Sequence, residues 1–290
     1  MSFDRLQEAI IAKKNPTVAG LDPKLEYVPS HIVKASMEEF GENLMGAADA
    51  IWKFNQGLID ALCDIVPAVK PQAAYYERLG WSGMAILEKT IRYAHEKGMY
   101  VIADIKRGDI GSTAEAYADG WLGGVKVGEQ ECTSFDADCV TLNGYMGADS
   151  VNPSNPGSGE LQNVPAGDGD TVYGLMADLI EKWGAGTEGK YGYTMAGAVA
   201  GATYPEELQR LRARMPHTFL LVPGYGAQGG TAEDVRHAFQ ENGHGAIVNS
   251  SRGIICAWQK TGKNGEDYQE AARNAAVAMR DDICRFITIA

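Results

Sequence analysis

Residues 99–118 read MYVIADIKRGDIGSTAEAYA, a short apolar strand that runs through a charged turn into a helix. Short apolar runs of this kind alternate with stretches of helical spacing along the chain, which is typical of βα units built around a parallel sheet. The predicted strands are 17–21, 65–70, 99–104, 138–142, 193–200, 218–222 and 245–249. The predicted helices lie near 2–13, 36–62, 81–97, 112–122, 171–183, 204–214, 231–241 and 265–288. The sequence therefore predicts an α/β protein.

The length of the chain and its lack of a linker favour one domain, residues 1–290. Single eight-stranded barrels of about 250 residues are common, and no Pro- or Ser-rich segment separates two halves. We therefore predict a single (β/α)8 TIM barrel. Residues 144–169 are rich in Gly, Pro, Asn and Ser and show neither a clear helix nor a clear strand. Either a strand lies near residues 150–154, or the fourth helix and the fifth strand are truncated.

Composition and charge exclude several classes of protein. Hydrophobic residues make up 45% of the chain and charged residues 22%, which excludes wholesale disorder. The formal charge is −12 and no basic run is present, so we expect no binding to nucleic acid or to an anionic membrane. No apolar stretch approaches the roughly 18 residues of a membrane span. The start MSFDRLQEAI does not resemble a signal peptide, so we expect a cytoplasmic protein.

Neither the cysteines nor the histidines form a metal-binding pattern. The 5 cysteines include no CxxC pair, and the 5 histidines include no pair four residues apart and no HExxH motif. We expect reduced cysteines and no metal site.

The pair Asp104 and Lys106 is the first candidate for chemistry. Side chains two residues apart share a face of a strand, so both should point into the mouth of a barrel. Unpaired charges are costly there, and the carboxyl ends of barrel strands are where such enzymes place their catalytic groups. A purely structural ion pair is the alternative that this segment leaves open.

Two adjacent loops have the character of an anion site. Gly226 lies in the loop PGYGAQGG, residues 223–230, and Ser251 and Arg252 directly follow the last strand. Glycine amides and a guanidinium suit a phosphate, and the loops after strands 7 and 8 of a barrel often share one phosphate site. We reject dinucleotide binding, because the Rossmann version of such a loop opens its domain and is followed by an acidic residue. Two ordinary tight turns remain the alternative.

Seven sequence motifs, taken in their order along the chain, resemble those of orotidine 5'-phosphate decarboxylases, specifically of their longer, second sequence type. The motifs are GLDP at 20–23, VKP at 69–71, DIKRGDIGST at 104–113, SNPGS at 154–158, GATYPEEL at 201–208, PGYGAQGG at 223–230 and NSSRGI at 249–254. The resemblance implies a (β/α)8 barrel, a homodimer with shared active sites, and no metal or cofactor. It also implies conversion of orotidine 5'-phosphate to uridine 5'-phosphate, the last step of pyrimidine nucleotide synthesis. Family members normally carry a helix and a fifth strand between TLNGYMG and SNPGS, and only a few residues separate those motifs here.

The resemblance also assigns roles to individual residues. The charged tetrad corresponds to Lys70, Asp104, Lys106 and Asp109, with Lys106 as the proton donor and Asp109 reaching into the partner's site. The substrate-binding candidates are Asp22 for the ribose, Thr113 near the neighbouring subunit's ligand, Ser154 for the pyrimidine amide, Gln228 and Arg252 for the phosphate, and Gly226 and Ser251 in the two anion loops.

Two other functions remain open. A magnesium-dependent sugar-phosphate decarboxylase or aldolase of the same superfamily uses a similar Asp-x-Lys-x-x-Asp strand. A barrel that has lost its fifth unit could also be a non-catalytic binder of pyrimidine nucleotides.

Overall fold

The computed structural model describes residues 2–143, 165–166, 170–226 and 229–290. Helices α1 to α11 are Ser2–Lys13, Ser30–Phe40, Leu44–Leu62, Ala73–Glu77, Gly80–Glu96, Gly111–Trp121, Val172–Gly184, Pro205–Arg214, Ala232–Val235, Arg252–Ile255 and Tyr268–Ile283. Strands β1 to β11 are Thr17–Leu21, Ala68–Pro71, Tyr100–Arg107, Gly124–Val127, Gln130–Thr133, Cys139–Leu142, Pro165–Ala166, Asp170–Thr171, Gly197–Val199, Phe219–Val222 and Ala246–Ser250. Short 3₁₀ helices span Leu25–Tyr27, Arg236–Ala238 and Ala257–Lys260.

Contacts between these elements divide the chain into two compact units. The first unit comprises Val18–Leu142 and Ser251–Ala278. The second unit comprises the described parts of Met1–Thr17, Asn143–Ser250 and Met279–Ala290. The single domain expected from the sequence stays a prediction.

The first unit contains a parallel sheet in the order β6-β3-β2-β1. β1 and β2 are buried at every position. Strands with both faces buried need near-continuous apolar residues, which explains why the sequence shows short apolar runs and no alternation. The helices α3 and α5 bury one apolar face each, including Phe54 and Leu58 of α3 and Leu87 and Ile91 of α5.

A buried hydrogen-bond network supports the end of β1. The Asn55 amide donates to the Tyr76 hydroxyl at 2.9 Å and to the Thr90 hydroxyl at 3.2 Å. The Tyr76 hydroxyl in turn donates to the Leu21 carbonyl at 3.4 Å. Buried polar networks of this kind hold a single arrangement, and this one ends at the residue before Asp22.

The second unit contains the parallel strands β9, β10 and β11, with β10 in the middle. Helix α1 and strand β10 contribute a stacked aromatic pair, Phe3 and Phe219, whose ring centroids lie 5.1 Å apart. The guanidinium of Arg212 is buried and donates to the carbonyls of Gly245 at 3.1 Å and Thr218 at 2.9 Å. Arg212 therefore ties the last turn of α8 to the starts of β10 and β11.

All seven predicted parallel strands are present, with boundaries shifted by at most four residues. The hairpin of β4 and β5 was not predicted, because its residues at 124–133 are largely exposed and carry no core pattern. The predicted fifth strand near 150–154 and the suggested truncation fall on residues 144–164, outside the described residues.

The predicted helix 36–62 is wrong in its extent. The chain instead forms α2 and α3, separated at residues 41–43. Gly41 adopts φ +84°, which a residue with a Cβ rarely adopts. The Asn43 side chain then accepts hydrogen bonds from the amides of Met45 and Gly46, so it caps a new helix. The predicted helix 231–241 is also shorter, because α9 ends at Val235 and continues only as a 3₁₀ turn.

None of the helices formed by the described residues is long and apolar enough to cross a membrane.

Candidate active site

Charged side chains gather where the strands of the first unit end. The carboxyl ends of parallel strands lie at one edge of a sheet. Lys70 lies near the carboxyl end of β2, Asp104 lies in β3, and Asp22 directly follows β1. The ammonium nitrogen of Lys70 lies 2.7 Å from Asp104 Oδ2 and 3.9 Å from Asp22 Oδ1. The Lys106 ammonium binds Asp104 Oδ1. The four groups therefore alternate in sign as Asp22, Lys70, Asp104 and Lys106.

The carboxylate of Asp104 is the centre of this cluster. Its Oδ2 accepts from Lys70 at 2.7 Å and from the Gln72 amide at 2.9 Å. Its Oδ1 accepts from Lys106 and, at 2.7 Å, from the hydroxyl of Thr141. Four donors on one buried carboxylate fix both its position and its orientation.

The protonation states follow from this geometry. Burial by itself raises the pKa of Asp104, but the positive charges of Lys70 and Lys106 and their hydrogen bonds outweigh burial and hold the pKa at about 2. Burial by itself lowers the pKa of Lys70, but Asp22 and Asp104 outweigh it and raise the pKa above its ordinary value. Asp104 is therefore a carboxylate and Lys70 an ammonium at neutral pH.

Asp22 has unused hydrogen-bonding capacity. Its Oδ1 is buried and finds no hydrogen-bond partner among the residues that the structure describes, although the Lys70 ammonium lies 3.9 Å away. A buried acceptor without a donor is costly. A ligand hydroxyl could supply the missing donor, which agrees with the ribose-binding role expected for Asp22.

Lys106 reaches Asp104 by a route that the sequence does not predict. The expected alternation of a regular strand is wrong here, because β3 carries a bulge between Ala103 and Arg107 and Lys106 adopts φ +49°. A bulge re-aims the side chains that follow it. The expected pairing of Asp104 with Lys106 is nevertheless present. The Lys106 side chain is 48% exposed, so it can meet a ligand.

Asp109 and Thr113 lie beyond the end of β3, away from this cluster. Asp109 Oδ1 accepts from the Ile110 amide at 2.8 Å. Within the described part of the chain, no hydrogen bond or ion pair joins Asp109 to Lys70, Asp104 or Lys106. Thr113 is exposed in the first turn of α6. The fourth member of the expected tetrad is therefore not brought to the other three within one chain.

Arg252 and Ser251 lie in the first unit, after β11. Arg252 opens α10 and its side chain is exposed. The Ser251 carbonyl accepts from the amides of Ile254 and Ile255 at 3.0 and 2.9 Å, which holds this turn in place.

The glycine loop of the second unit is a closed turn. Gly226 adopts φ +70° and its amide donates to the Gly230 carbonyl at 2.8 Å. The amides of Gly229 and Gly230 also donate within the loop, to the carbonyls of Gly226 and Gly224. These three amides therefore already have hydrogen-bond partners within the loop, and the predicted role of Gly226 in phosphate binding stays a prediction. Gln228 and Ser154 fall outside the described residues.

Sequence reasoning missed two residues that contact Asp104, namely Gln72 and Thr141. Gln72 follows β2 and Thr141 lies near the carboxyl end of β6. Both are polar residues at the carboxyl end of a predicted barrel strand, the same signal that identified Asp104. Among the described residues, no group of three or more His, Cys, Asp or Glu side chains could hold a metal ion.

Proteins of similar sequence match this chain over nearly its whole length. A protein from Rhodopirellula baltica named orotidine 5'-phosphate decarboxylase is 40% identical, and the match covers 96% of this chain and 97% of that protein. One of the same name from Clostridium acetobutylicum is also 40% identical, with 98% and 99% covered. These alignments run over 301 and 302 positions, more than the 290 residues of this chain, so both relatives contain residues that it lacks.

Solved structures agree with the fold expected from the sequence. The structure of Leishmania donovani OMP decarboxylase is 29% identical, with a TM-score of 0.72 and 98% of each chain covered. The structure of Leishmania donovani UMP synthase is 30% identical, with a TM-score of 0.72, and the match covers 97% of this chain and 56% of that one. The chain has the (β/α)8 barrel fold expected from the sequence.

A model of a whole protein family also matches the chain. It describes the orotidine 5'-phosphate decarboxylase / HUMPS family and matches residues 42–263, a range that contains Lys70, Asp104, Lys106 and Arg252. With 40% identity to the curated relatives, this match shows that the chain belongs to the orotidine 5'-phosphate decarboxylase / HUMPS family.

Proposed function

We propose that this protein decarboxylates orotidine 5'-phosphate to uridine 5'-phosphate, the last step of pyrimidine nucleotide synthesis. The observation that carries the proposal is the ammonium of Lys106, held on the buried carboxylate of Asp104 and still half exposed to a ligand. The relatives that match nearly the full chain bear the name of this decarboxylase. That name favours it over a sugar-phosphate decarboxylase or aldolase within the same family.

The reaction breaks one bond and forms one. The bond between C6 of the pyrimidine and its carboxylate breaks, the electron pair stays on C6, and CO2 leaves. The Lys106 ammonium stabilises the carbanion and donates a proton from Nζ to C6. Because the Lys106 side chain is 48% exposed, solvent can return the proton.

Lys106 alone does not account for the rate. Enzymes lower barriers by up to about 23 kcal/mol, whereas one charge at about 4 Å contributes roughly 4 kcal/mol at an effective dielectric constant near 20. Asp104, with its pKa of about 2, is negatively charged beside the substrate carboxylate, and departure of neutral CO2 relieves that repulsion. Binding energy at the distant phosphate supplies a further share. Lys70 holds Asp104 in place.

The remaining roles follow the family resemblance. Asp22 binds the ribose, and its unpartnered Oδ1 supports this role. The further substrate-binding residues are Thr113, Ser154, Gly226, Gln228, Ser251 and Arg252.

The function is tested with the purified protein, orotidine 5'-phosphate and an excess of a chelator. We expect loss of substrate absorbance and formation of uridine 5'-phosphate at the same rate with and without chelator. Activity that needs added magnesium and acts only on sugar phosphates would support the alternative decarboxylase or aldolase. Tight binding of uridine 5'-phosphate without any turnover would support the non-catalytic nucleotide binder.

The role of Arg252 is tested by the substitution Arg252→Ala. Charge-assisted hydrogen bonds to a phosphate contribute about 1.5–3 kcal/mol each, so we expect kcat/KM for orotidine 5'-phosphate to fall about 100-fold or more. The slow decarboxylation of phosphate-free orotidine serves as the control and should change less than about threefold. Equal losses on both substrates would assign Arg252 to something other than the phosphate.

We further propose a homodimer in which Asp109 completes the partner's site. Asp109 makes no described contact with its own Lys70, Asp104 or Lys106, so a second copy can supply it. Ile110, which directly follows Asp109, is 61% exposed, and the stretch after it in the first unit exposes three more large apolar side chains: Leu122 (46%), Val125 (48%) and Val127 (61%). Large apolar side chains left exposed are typical of protein interfaces, and a second copy of the chain is the occupant that also brings Asp109.

The shared site makes a prediction for mixtures of variants. Lys106→Ala and Asp109→Ala should each be nearly inactive alone. After equal amounts are mixed and the subunits exchange, about half of the dimers are hybrids. Each hybrid has one site with both residues intact, so the mixture should regain up to about half an active site per dimer. A monomer in sedimentation experiments, or no recovery on mixing, would refute the shared site.

A cytoplasmic location is also proposed, because a charged nucleotide does not cross a bilayer. Fractionation of cells that contain the protein would test it, and activity confined to the membrane or to the medium would contradict it.

A further inference from the structure

We propose that Thr141 is a positioning residue for the Asp104–Lys106 pair, and this inference rests on the proposed function. Thr141 lies near the carboxyl end of β6 and contributes one hydroxyl to the site. That hydroxyl donates to Asp104 Oδ1 at 2.7 Å and accepts from the Lys106 backbone amide at 3.1 Å. One side chain therefore binds both the carboxylate and the backbone that carries the proton donor.

The bulge in β3 explains why such a residue is needed. Cα partners in the two strands are Ala103 with Val140 and Arg107 with Leu142, so residues 104–106 of β3 lie opposite Thr141 alone. The backbone amide of Lys106 consequently has no regular ladder partner. The Thr141 hydroxyl takes the place of the missing carbonyl. The guanidinium of Arg107 similarly donates to the Ile105 carbonyl at 2.8 Å.

The conformation of Lys106 needs the same support. Lys106 adopts φ +49°, the left-handed region that non-glycine residues rarely occupy. Glycine would relieve the strain but has no ammonium, so the chain keeps lysine and must hold it there. Such strain persists only where the surroundings determine the backbone. The hydrogen bond from the Lys106 amide to Thr141 is one of these constraints, and it also keeps the side chain directed to Asp104.

The Thr141 hydroxyl also orients the carboxylate of Asp104. Asp104 Oδ1 accepts from Lys106 Nζ and from Thr141, while Oδ2 faces Lys70 and Gln72. Without the hydroxyl, the Asp104 carboxylate can rotate and the Lys106 ammonium can move with it. Small misplacements of reacting groups cost up to about 100-fold in rate.

The test compares Thr141→Val, which keeps the shape of the side chain but removes the hydroxyl, with Thr141→Ser, which keeps the hydroxyl. We expect Thr141→Val to lower kcat about 10- to 100-fold with KM changed less than about threefold. Thr141→Ser should stay within about threefold of the parent protein. The backbone amide of Lys106 should exchange with solvent deuterium faster in Thr141→Val than in either other protein.

Thr218→Val is the matched control. The Thr218 hydroxyl also donates to a carboxylate, Glu181 Oε1 at 2.6 Å, but it lies in the second unit, directly before β10. We expect Thr218→Val to lower the free energy of unfolding by about as much as Thr141→Val does, but to leave kcat unchanged.

Three outcomes would overturn the positioning role. They are an unchanged kcat in Thr141→Val, a Thr141→Ser variant as impaired as Thr141→Val, and equal losses in Thr141→Val and Thr218→Val. An inactive parent protein would instead contradict the proposed function. In that case the exchange rate of the Lys106 amide still tests whether Thr141 holds the backbone at Lys106. Equal exchange rates in Thr141→Val and the parent protein would refute that role.

Discussion

Replacement of Lys106 by alanine is expected to leave a folded protein that has lost nearly all decarboxylase activity. The substitution removes both the proton donor and the positive charge beside the carbanion. General acid catalysis contributes about 10²–10⁴-fold and an electrostatic donor about 10²–10³-fold, so kcat should fall by at least about 10⁴-fold. The side chain is 48% exposed, so its loss creates no large cavity. Single-turnover assays with purified protein measure the residual rate.

Lys190→Ala is the control for this substitution. Lys190 is also an exposed lysine with a carboxylate partner, Glu8 at 3.0 Å, but it lies outside the site. Its replacement should leave kcat unchanged. A Lys106→Ala variant with a tenth of the parent activity would rule out Lys106 as the proton donor.

Replacement of Lys70 by methionine is expected to destabilise the fold as well as to stop turnover. Methionine keeps most of the volume but leaves Asp22 and the buried Asp104 without their shared cation. Breaking a buried ion pair in this way costs about 3–5 kcal/mol in free energy of unfolding. Lys53→Met is the matched control, because Lys53 also contacts two carboxylates, Asp49 at 2.7 Å and Glu39 at 3.1 Å, but is more exposed. That control should cost below about 1 kcal/mol.

At acid pH, the parent protein and Lys70→Met should differ less in free energy of unfolding. The pKa of Asp104 is lowered from 3.8 to about 2 in the folded protein. A lowered carboxylate pKa contributes stability that is fully present above the unfolded value and is lost as the pH falls through the folded value. Lys70 is one cause of the lowering, so the gap in free energy of unfolding should be full above pH 4 and shrink toward pH 2. Urea unfolding of both proteins across this range measures it, and a gap independent of pH would contradict the electrostatic explanation.

Much of the site could be predicted from local sequence. Asp104 and Lys106 stand at the end of an apolar run, where a charge is costly unless it is paired. Lys70 and Asp22 were expected only from the family resemblance. The structure brings these four residues together. Asp109 shows the limit of this reasoning, since one chain does not bring it to the others and its place in a partner's site stays a prediction.

Elements without a core-facing pattern escaped prediction. The exposed hairpin of β4 and β5 has little apolar periodicity. The break between α2 and α3 was missed because apolar residues continue through it, and only the backbone of Gly41 and the cap of Asn43 separate the helices.

The sequence by itself determined the alternation of strands and helices, the charges at the strand ends and the family, because each of these depends on residue types at short spacing. Only the tertiary structure decided how Lys106 meets Asp104. The pairing depends on a bulge in β3 and on a threonine 35 residues further along the chain, whose hydroxyl binds both. A bulge arises from the register between two strands, and register is set by packing across the sheet and not by either strand alone.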